Sequence, residues 1–92
     1  MISESTIILP STLFDLTGVR AAAVRAVTVA DAFEELEKKH PGFRGKLFDE
    51  RGNLRPHIRV FVDSSDVRGG AGLLTPLRGG EEILVVPATS GG

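Results

Sequence analysis

The chain contains no cysteine, no tryptophan and no tyrosine among its 92 residues. Without cysteine it has no disulfide, no thiolate ligand for a metal and no cysteine nucleophile. Any sulfur that the protein handles must therefore be carried on a group other than a cysteine side chain. The only two histidines, His40 and His57, are too few and too far apart in the sequence to suggest a metal site, so we expect none.

Long apolar runs and an excess of basic charge are also missing. No apolar run approaches the ~20 residues that a membrane-spanning helix needs. The first ten residues, MISESTIILP, have neither the basic region nor the long apolar region of a signal peptide. The formal net charge of −1 argues against nucleic acid or an anionic membrane as the main partner, because both select for basic proteins. We therefore expect a cytoplasmic protein that binds neither nucleic acid nor a membrane.

The motifs that would indicate an enzyme are incomplete. A stretch that begins like a calcium loop at Asp63 has Leu74 in the twelfth position, where glutamate is required. The segment GGAGLLTPLRGG lacks the Lys-Ser/Thr pair of a phosphate-binding loop, and no nucleophile elbow is present. We therefore assign no catalytic residues and no bound cofactor.

The order of predicted elements defines the fold class. Apolar residues make up 41% and charged residues 25% of the chain, as in a single globular domain. Strands are predicted over residues 5–10 and 21–27, then a helix that ends at Pro41, then strands in HIRVFVD, after SSDVR and in EEILVVP. This order predicts an α+β domain with one helix packed across one face of a mixed sheet. With the first and last strands parallel in the centre, that arrangement is the β-grasp fold.

The predicted helix has both a start signal and a consistent buried face. Thr28 is the predicted N-cap, with Asp31 three residues later, and Pro41 and Gly42 are predicted to end the helix. One face is predicted to be buried and consists of Val29, Ala32, Phe33 and Leu36. On the solvated faces we predict the i,i+4 ion pairs Glu34–Lys38 and Glu35–Lys39.

The last predicted strand, EEILVVP, is apolar without alternation, which is typical of a strand buried on both faces. The helix covers one face, but so small a domain has no second layer for the other. We therefore predict an exposed apolar docking patch that includes Phe61, Leu84 and Val86. Arg78, before Gly79 and Gly80, adds a candidate charge contact. The alternative to a docking patch is an ordinary core with apolar residues scattered on the surface. The alternative for Arg78 is a solvated turn residue without a partner contact.

After Pro87 the chain has only small residues: Ala88, Thr89, Ser90, Gly91 and Gly92. We expect residues 1–87 to form the folded domain and 88–92 a flexible tail. Fully extended, five residues reach roughly 16–18 Å. Glycine has no Cβ, so a Gly-Gly end can pass a narrow channel and bring an ionised terminal carboxylate to a partner's active site. A frayed chain end is the alternative.

The order of these segments resembles the ubiquitin-like sulfur-carrier family, the MoaD/ThiS/CysO-type proteins. The likeness covers almost the whole chain: IILPSTLFDLTG, VADAFEELEKKHPGF, HIRVFVDSSDVR and GGAGLLTPLRGGEEILVVPATSGG each resemble the corresponding family segment. Asp63 stands where that family usually has asparagine. The long segment 43–56 makes the chain most similar to the CysO-type carriers.

The resemblance implies a function for the Gly-Gly end. An E1-like activating enzyme would use ATP-Mg to adenylate the Gly92 carboxylate, and a sulfur source would then displace AMP to leave a thiocarboxylate. A sulfur-accepting synthase would use that sulfur to build a sulfur-containing metabolite, such as cysteine, a cofactor or a secondary metabolite. The protein would be a cosubstrate of these two enzymes and not itself an enzyme.

Three other functions remain open from the sequence. The same tail, activated in the same way, fits a ubiquitin-like modifier that is joined to lysines of target proteins. It also fits a constitutive subunit like the small subunit of molybdopterin synthase, whose tail stays inserted in a larger partner. The last alternative is a β-grasp interaction module without tail chemistry.

Overall fold

The computed structural model describes residues 4–11, 18–43 and 45–87. These residues contain five strands and one α-helix: β1 (Glu4–Ile8), β2 (Ala21–Arg25), α1 (Val29–Lys39), β3 (Ile58–Val62), β4 (Ser65–Asp66) and β5 (Glu82–Pro87). The predicted tail, residues 88–92, lies outside the described residues, so the division at Pro87 stays a prediction. Among the described residues no helix has the length and apolarity needed to cross a membrane.

The five strands form one mixed sheet in the order β2-β1-β5-β3-β4. The first strand, β1, runs parallel to the last, β5, and these two pair side by side inside the sheet. The other neighbours are antiparallel: β2 on β1, β3 on β5 and β4 on β3. With α1 packed on one face, this topology confirms the predicted β-grasp fold.

Two strands are shorter than the sequence predicted, each for a local reason. β1 ends at Ile8, two residues before Pro10, whose fixed φ and missing N–H prevent a longer ladder. β2 ends at Arg25 because the chain then pairs with a different segment. The Val27 carbonyl accepts a hydrogen bond from the Leu77 N–H (2.9 Å), and Thr28 forms a β-bridge with Pro76.

Helix α1 confirms the predicted start and buried face. The hydroxyl of the N-cap Thr28 accepts a hydrogen bond from the Asp31 N–H (3.2 Å), and Val29, Ala32, Phe33 and Leu36 are the buried residues. The prediction of the ion pairs Glu34–Lys38 and Glu35–Lys39 was wrong, because both lysines bind other groups. Lys38 pairs with Glu35 at i,i+3 (3.5 Å), and Lys39 Nζ donates to the Ala23 carbonyl (3.0 Å), which ties the end of α1 to β2.

The hydrophobic core lies between α1 and the inner face of the sheet. Alternate strand residues point into it and are fully buried: Ile7, Val24, Val60, Ile83 and Val85. The connection over 43–56 is irregular, as predicted, but it adds more to the core than its sequence suggested. Phe43 and Leu47 are completely buried, and the Phe48 ring meets Phe33 edge-on with ring centroids 5.3 Å apart.

Candidate interaction surface

The face of the sheet turned away from α1 carries a row of apolar side chains. Strand register places Ile8 of β1 and Phe61 of β3 on either side of Leu84 of β5. Leu84 is 41% exposed, and the other two are half-buried. Val86 follows two residues later on the same face, next to Pro87 at the end of β5. We call these four residues, Ile8, Phe61, Leu84 and Val86, the outer patch.

An ion pair borders the outer patch on its β3–β4 side. The Arg59 guanidinium donates to one carboxylate oxygen of Asp66 from both Nε (3.2 Å) and Nη2 (2.7 Å). It also lies over the Phe61 ring, 5.3 Å from the centroid, in cation–π geometry. The hydrogen bond from Arg59, followed by that from the Arg68 N–H, holds the pKa of Asp66 below its ordinary value. The patch therefore has a fixed charged border beside an aromatic ring.

Arg78 does not join the outer patch near Val86. It precedes β5, whose first residue is Glu82, whereas Val86 lies near the other end of that strand. At about 3.3 Å per residue, Glu82 and Val86 alone are separated by about 13 Å. Phe61, Leu84 and Val86 thus share one face of the sheet, while Arg78 precedes the end of β5 that is opposite Pro87.

The turn that carries Arg78 is held by the carboxylate of Glu81. Its Oε2 accepts from the Arg78 N–H (2.7 Å), and its Oε1 accepts from the Gly79 N–H (2.8 Å) and the Ser5 hydroxyl (3.0 Å). Ser5 is a buried polar residue on β1, so the contact fastens this turn to the sheet. The Arg78 hydrogen bond is the largest cause of a lowered pKa at Glu81, with smaller contributions from Gly79 and Ser5.

Glu81→Ala is expected to lower the free energy of unfolding at pH 7 by about 1–3 kcal/mol, because it leaves the buried Ser5 hydroxyl without an acceptor. The matched variant Glu82→Ala removes a neighbouring exposed carboxylate for which no side-chain bond is found in the described residues. We expect it to change stability by no more than about 0.5 kcal/mol. Urea unfolding of both variants measures the difference, and equal losses would contradict this assignment.

The hydrogen bonds of the Glu81 carboxylate predict that its contribution to the free energy of unfolding depends on pH. Because folding lowers the pKa of Glu81, its contribution is complete above the unfolded glutamate pKa of about 4.3 and is lost as the pH falls through the folded value. The stability gap between the wild type and Glu81→Ala should therefore narrow below about pH 4.3. A gap that stays constant down to pH 3 would show that the charged form of Glu81 is not what stabilises the turn.

Three residues of this surface were missed by sequence reasoning: Ile8, Arg59 and Asp66. Ile8 belongs to the outer patch through its pairing with Leu84, and a period-2 reading of the first strand, with Ile7 inside, would have placed it there. The Arg59–Asp66 pair depends on the contact between β3 and β4 and had no sequence signal. The tail residues Ala88, Thr89, Ser90, Gly91 and Gly92 lie outside the described residues.

The sheet topology and the helix packed on one face of the sheet define a small ubiquitin-like domain of the β-grasp class. A family model described as the ThiS family matches residues 7–92 of the chain. The protein belongs to the ThiS family, a family of ubiquitin-like sulfur carriers.

Known proteins resemble the chain along most of its length. The sulfur carrier protein CysO of Mycobacterium tuberculosis is 28% identical over 93 residues, covering 99% of this chain and 96% of that protein. Small archaeal modifier protein 3 of Haloferax volcanii is 32% identical over 65 residues, covering 71% and 70%. In the crystal structure of the Amycolatopsis orientalis BexX/CysO complex, one chain matches with a TM-score of 0.86 at 29% identity, covering 96% and 99%.

Proposed function

We propose that the protein is a sulfur carrier whose Gly92 carboxylate is activated by an E1-like enzyme and converted to a thiocarboxylate. The observation that carries this proposal is the match to the ThiS family, which extends through the Gly-Gly end at residue 92. The outer patch supports it, because Val86 brings apolar surface to the last residues of β5, next to the tail.

The proposed chemistry has two steps on the Gly92 carboxyl group. A carboxylate oxygen attacks the α-phosphorus of ATP-Mg in the activating enzyme, which forms an acyl adenylate and releases pyrophosphate. Hydrosulfide then adds to the carbonyl carbon, the C–O bond to AMP breaks, and the proton leaves. The product is a thiocarboxylate, and the oxygen that sulfur replaces departs with AMP. The catalytic groups belong to the partners, and the carrier needs no cofactor of its own.

The outer patch supplies a docking surface for this chemistry. Leu84, at its centre, is exposed in a strand that is hydrogen-bonded on both sides, so the surface is already formed in the isolated domain. A tail of five residues reaches roughly 16–18 Å beyond Pro87 when extended. A partner that docks on the outer patch with its active site within that distance can receive Gly92. We propose that the activating enzyme and the sulfur-accepting synthase use this surface in turn.

Intact-mass spectrometry after incubation with an E1-like activating enzyme, ATP-Mg and sulfide tests the sulfur-carrier proposal. We expect a gain equal to the difference between one sulfur and one oxygen atom, located at Gly92 by fragmentation. Reactions without ATP or without sulfide are the controls. An unchanged mass with an enzyme that activates its own carrier would contradict the proposal, as would residues beyond Gly92 in the purified protein.

A second candidate is a protein modifier joined through Gly92 to lysines. The similarity to small archaeal modifier protein 3 favours it. Both functions begin with the same adenylate, so activation alone does not separate them. Digests of cellular protein that contain a Gly92 isopeptide on lysine would favour the modifier. Sulfur transfer from the thiocarboxylate to a small molecule, without such conjugates, would favour the carrier.

A further inference from the structure

A groove lies on the helix side of the domain, away from the outer patch. It forms a cavity of about 450 Å³ between α1, the segment 45–55 and Leu73. Its apolar part includes Phe48 and Leu73, which pack against the edge of the core. Cavities of this size fall within the range of about 300–1,000 Å³ that is usual for binding sites.

The wall formed by segment 45–55 is held by its own hydrogen bonds. Phe48 and Leu54 form a β-bridge, and the Asp49 carboxylate accepts from the N–H groups of Arg51 (2.9 Å) and Asn53 (3.0 Å). The side chain of Arg55 donates from Nε to the Gly45 carbonyl (2.9 Å). The groove is therefore formed before any ligand binds.

Negative charge is concentrated along both walls of this groove. Glu34 and Glu37 line it from α1, and Asp49 and Glu50 line it from the opposite segment. Among the described residues, Arg55 is the one basic side chain in the lining. The remaining residues of the chain include ten basic and eight acidic side chains. A protein that is nearly neutral overall thus presents a local acidic groove with an apolar floor.

We propose that this groove binds a short basic segment of a partner protein, with an apolar side chain on Phe48 and Leu73 and Lys or Arg side chains against the two acidic walls. The acidic walls complement basic side chains in charge, and the preformed apolar floor offers a contact for an apolar side chain. A single metal ion fits less well. Among the described residues, no three His, Asp or Glu side chains approach each other closely enough to hold one.

This binding site goes beyond the proposed sulfur-carrier function and uses the other side of the molecule. The groove is lined by α1, segment 45–55 and Leu73, whereas the outer patch lies on the sheet face turned away from α1. A basic segment in the groove therefore leaves the outer patch free. The site allows a third protein to hold the carrier while an enzyme engages the outer patch and the Gly92 end.

NMR titration of the full-length protein with the peptide acetyl-KLFKR-amide tests the groove. We expect amide shifts at Ala30, Glu34, Phe48 and Leu73, with the outer patch unchanged, and weaker binding at higher salt. The acidic counterpart acetyl-ELFED-amide should produce no such shifts. Shifts centred on Leu84, equal shifts from both peptides, or no shifts at millimolar peptide would overturn the proposal. Magnesium ions alone reproducing the pattern would make the groove a cation site and overturn it as well.

Matched variants separate the groove from general charge attraction. Glu34→Lys, inside the groove, should weaken binding of the KLFKR peptide about three- to tenfold. Glu35→Lys makes the same charge change at the next position of α1, outside the lining, and should weaken it less than about twofold. Ala30→Gln adds bulk to the wall without changing charge and should also weaken binding. Equal effects of the two lysine variants, or full binding by Ala30→Gln, would overturn the proposal.

Discussion

Deletion of Gly92 is expected to abolish thiocarboxylate formation and to leave the unfolding midpoint unchanged. The residues that form the described core lie between Ile7 and Val85, so removing the last residue takes no side chain from it. The new chain end would be Gly91, one residue short of the activating enzyme's reacting phosphate. One residue of extended chain is about 3.3–3.6 Å, which is enough to prevent attack on the α-phosphorus. Intact mass after the complete activation reaction measures the effect.

Two further variants distinguish the length of the tail from its width. Gly91→Phe keeps the length but adds a bulky side chain next to the reacting carboxylate, and we expect activation to fall at least a hundredfold, which corresponds to about 2.7 kcal/mol in the barrier. Ser90→Ala keeps a small side chain and should retain activation within about threefold. Thermal unfolding shifted by several degrees in the Gly92 deletion would instead make the chain end part of the fold. Activation of Gly91→Phe at the wild-type rate would contradict the narrow-channel hypothesis.

Helix α1 was predictable because its signals are local. The N-cap Thr28 lies three residues from its hydrogen-bond partner Asp31, and the buried face follows the helical period within eleven residues. The order of the strands was predictable only as part of a fold class, since β1 and β5 pair across more than 70 residues of sequence. No local pattern fixes that pairing, and so the strand ends and registers came from the structure.

The candidate surfaces also contain some residues that the local sequence predicts and others that only the structure brings together. Phe61 and Leu84 were predicted because an apolar strand in a thin domain must expose one side, and their direct pairing then confirms that they share a face. Ile8 joins them only through the parallel register of β1 and β5. The groove was missed because its lining combines α1, segment 45–55 and Leu73, and the middle segment has no periodic pattern. Glu34 and Glu37, its acidic side chains on α1, looked like part of an ordinary solvated helix face.

Replacing Leu84 by glutamate is expected to weaken binding of the activating enzyme about thirtyfold or more. Leu84 is 41% exposed at the centre of the outer patch, between Ile8 and Phe61. In an interface, a charge at that place would be desolvated without a partner and would replace an apolar contact. Removing a central contact of this kind costs about 2 kcal/mol or more of binding free energy. A loss of that size raises Kd about thirtyfold. Titration calorimetry with the activating enzyme measures it.

The position of Leu84 makes this test cleaner than one at Phe61. Phe61 is half-buried and lies under the Arg59 guanidinium, so Phe61→Glu should cost stability as well as binding. Asn53→Glu is the matched control, because it adds the same charge at an exposed turn residue of segment 45–55. We expect Asn53→Glu to change Kd by less than about twofold, because salt screens an exposed charge that lies away from the interface. Leu84→Glu with wild-type affinity, or with a loss of affinity no larger than that of Asn53→Glu, would show that partners dock elsewhere than on the outer patch.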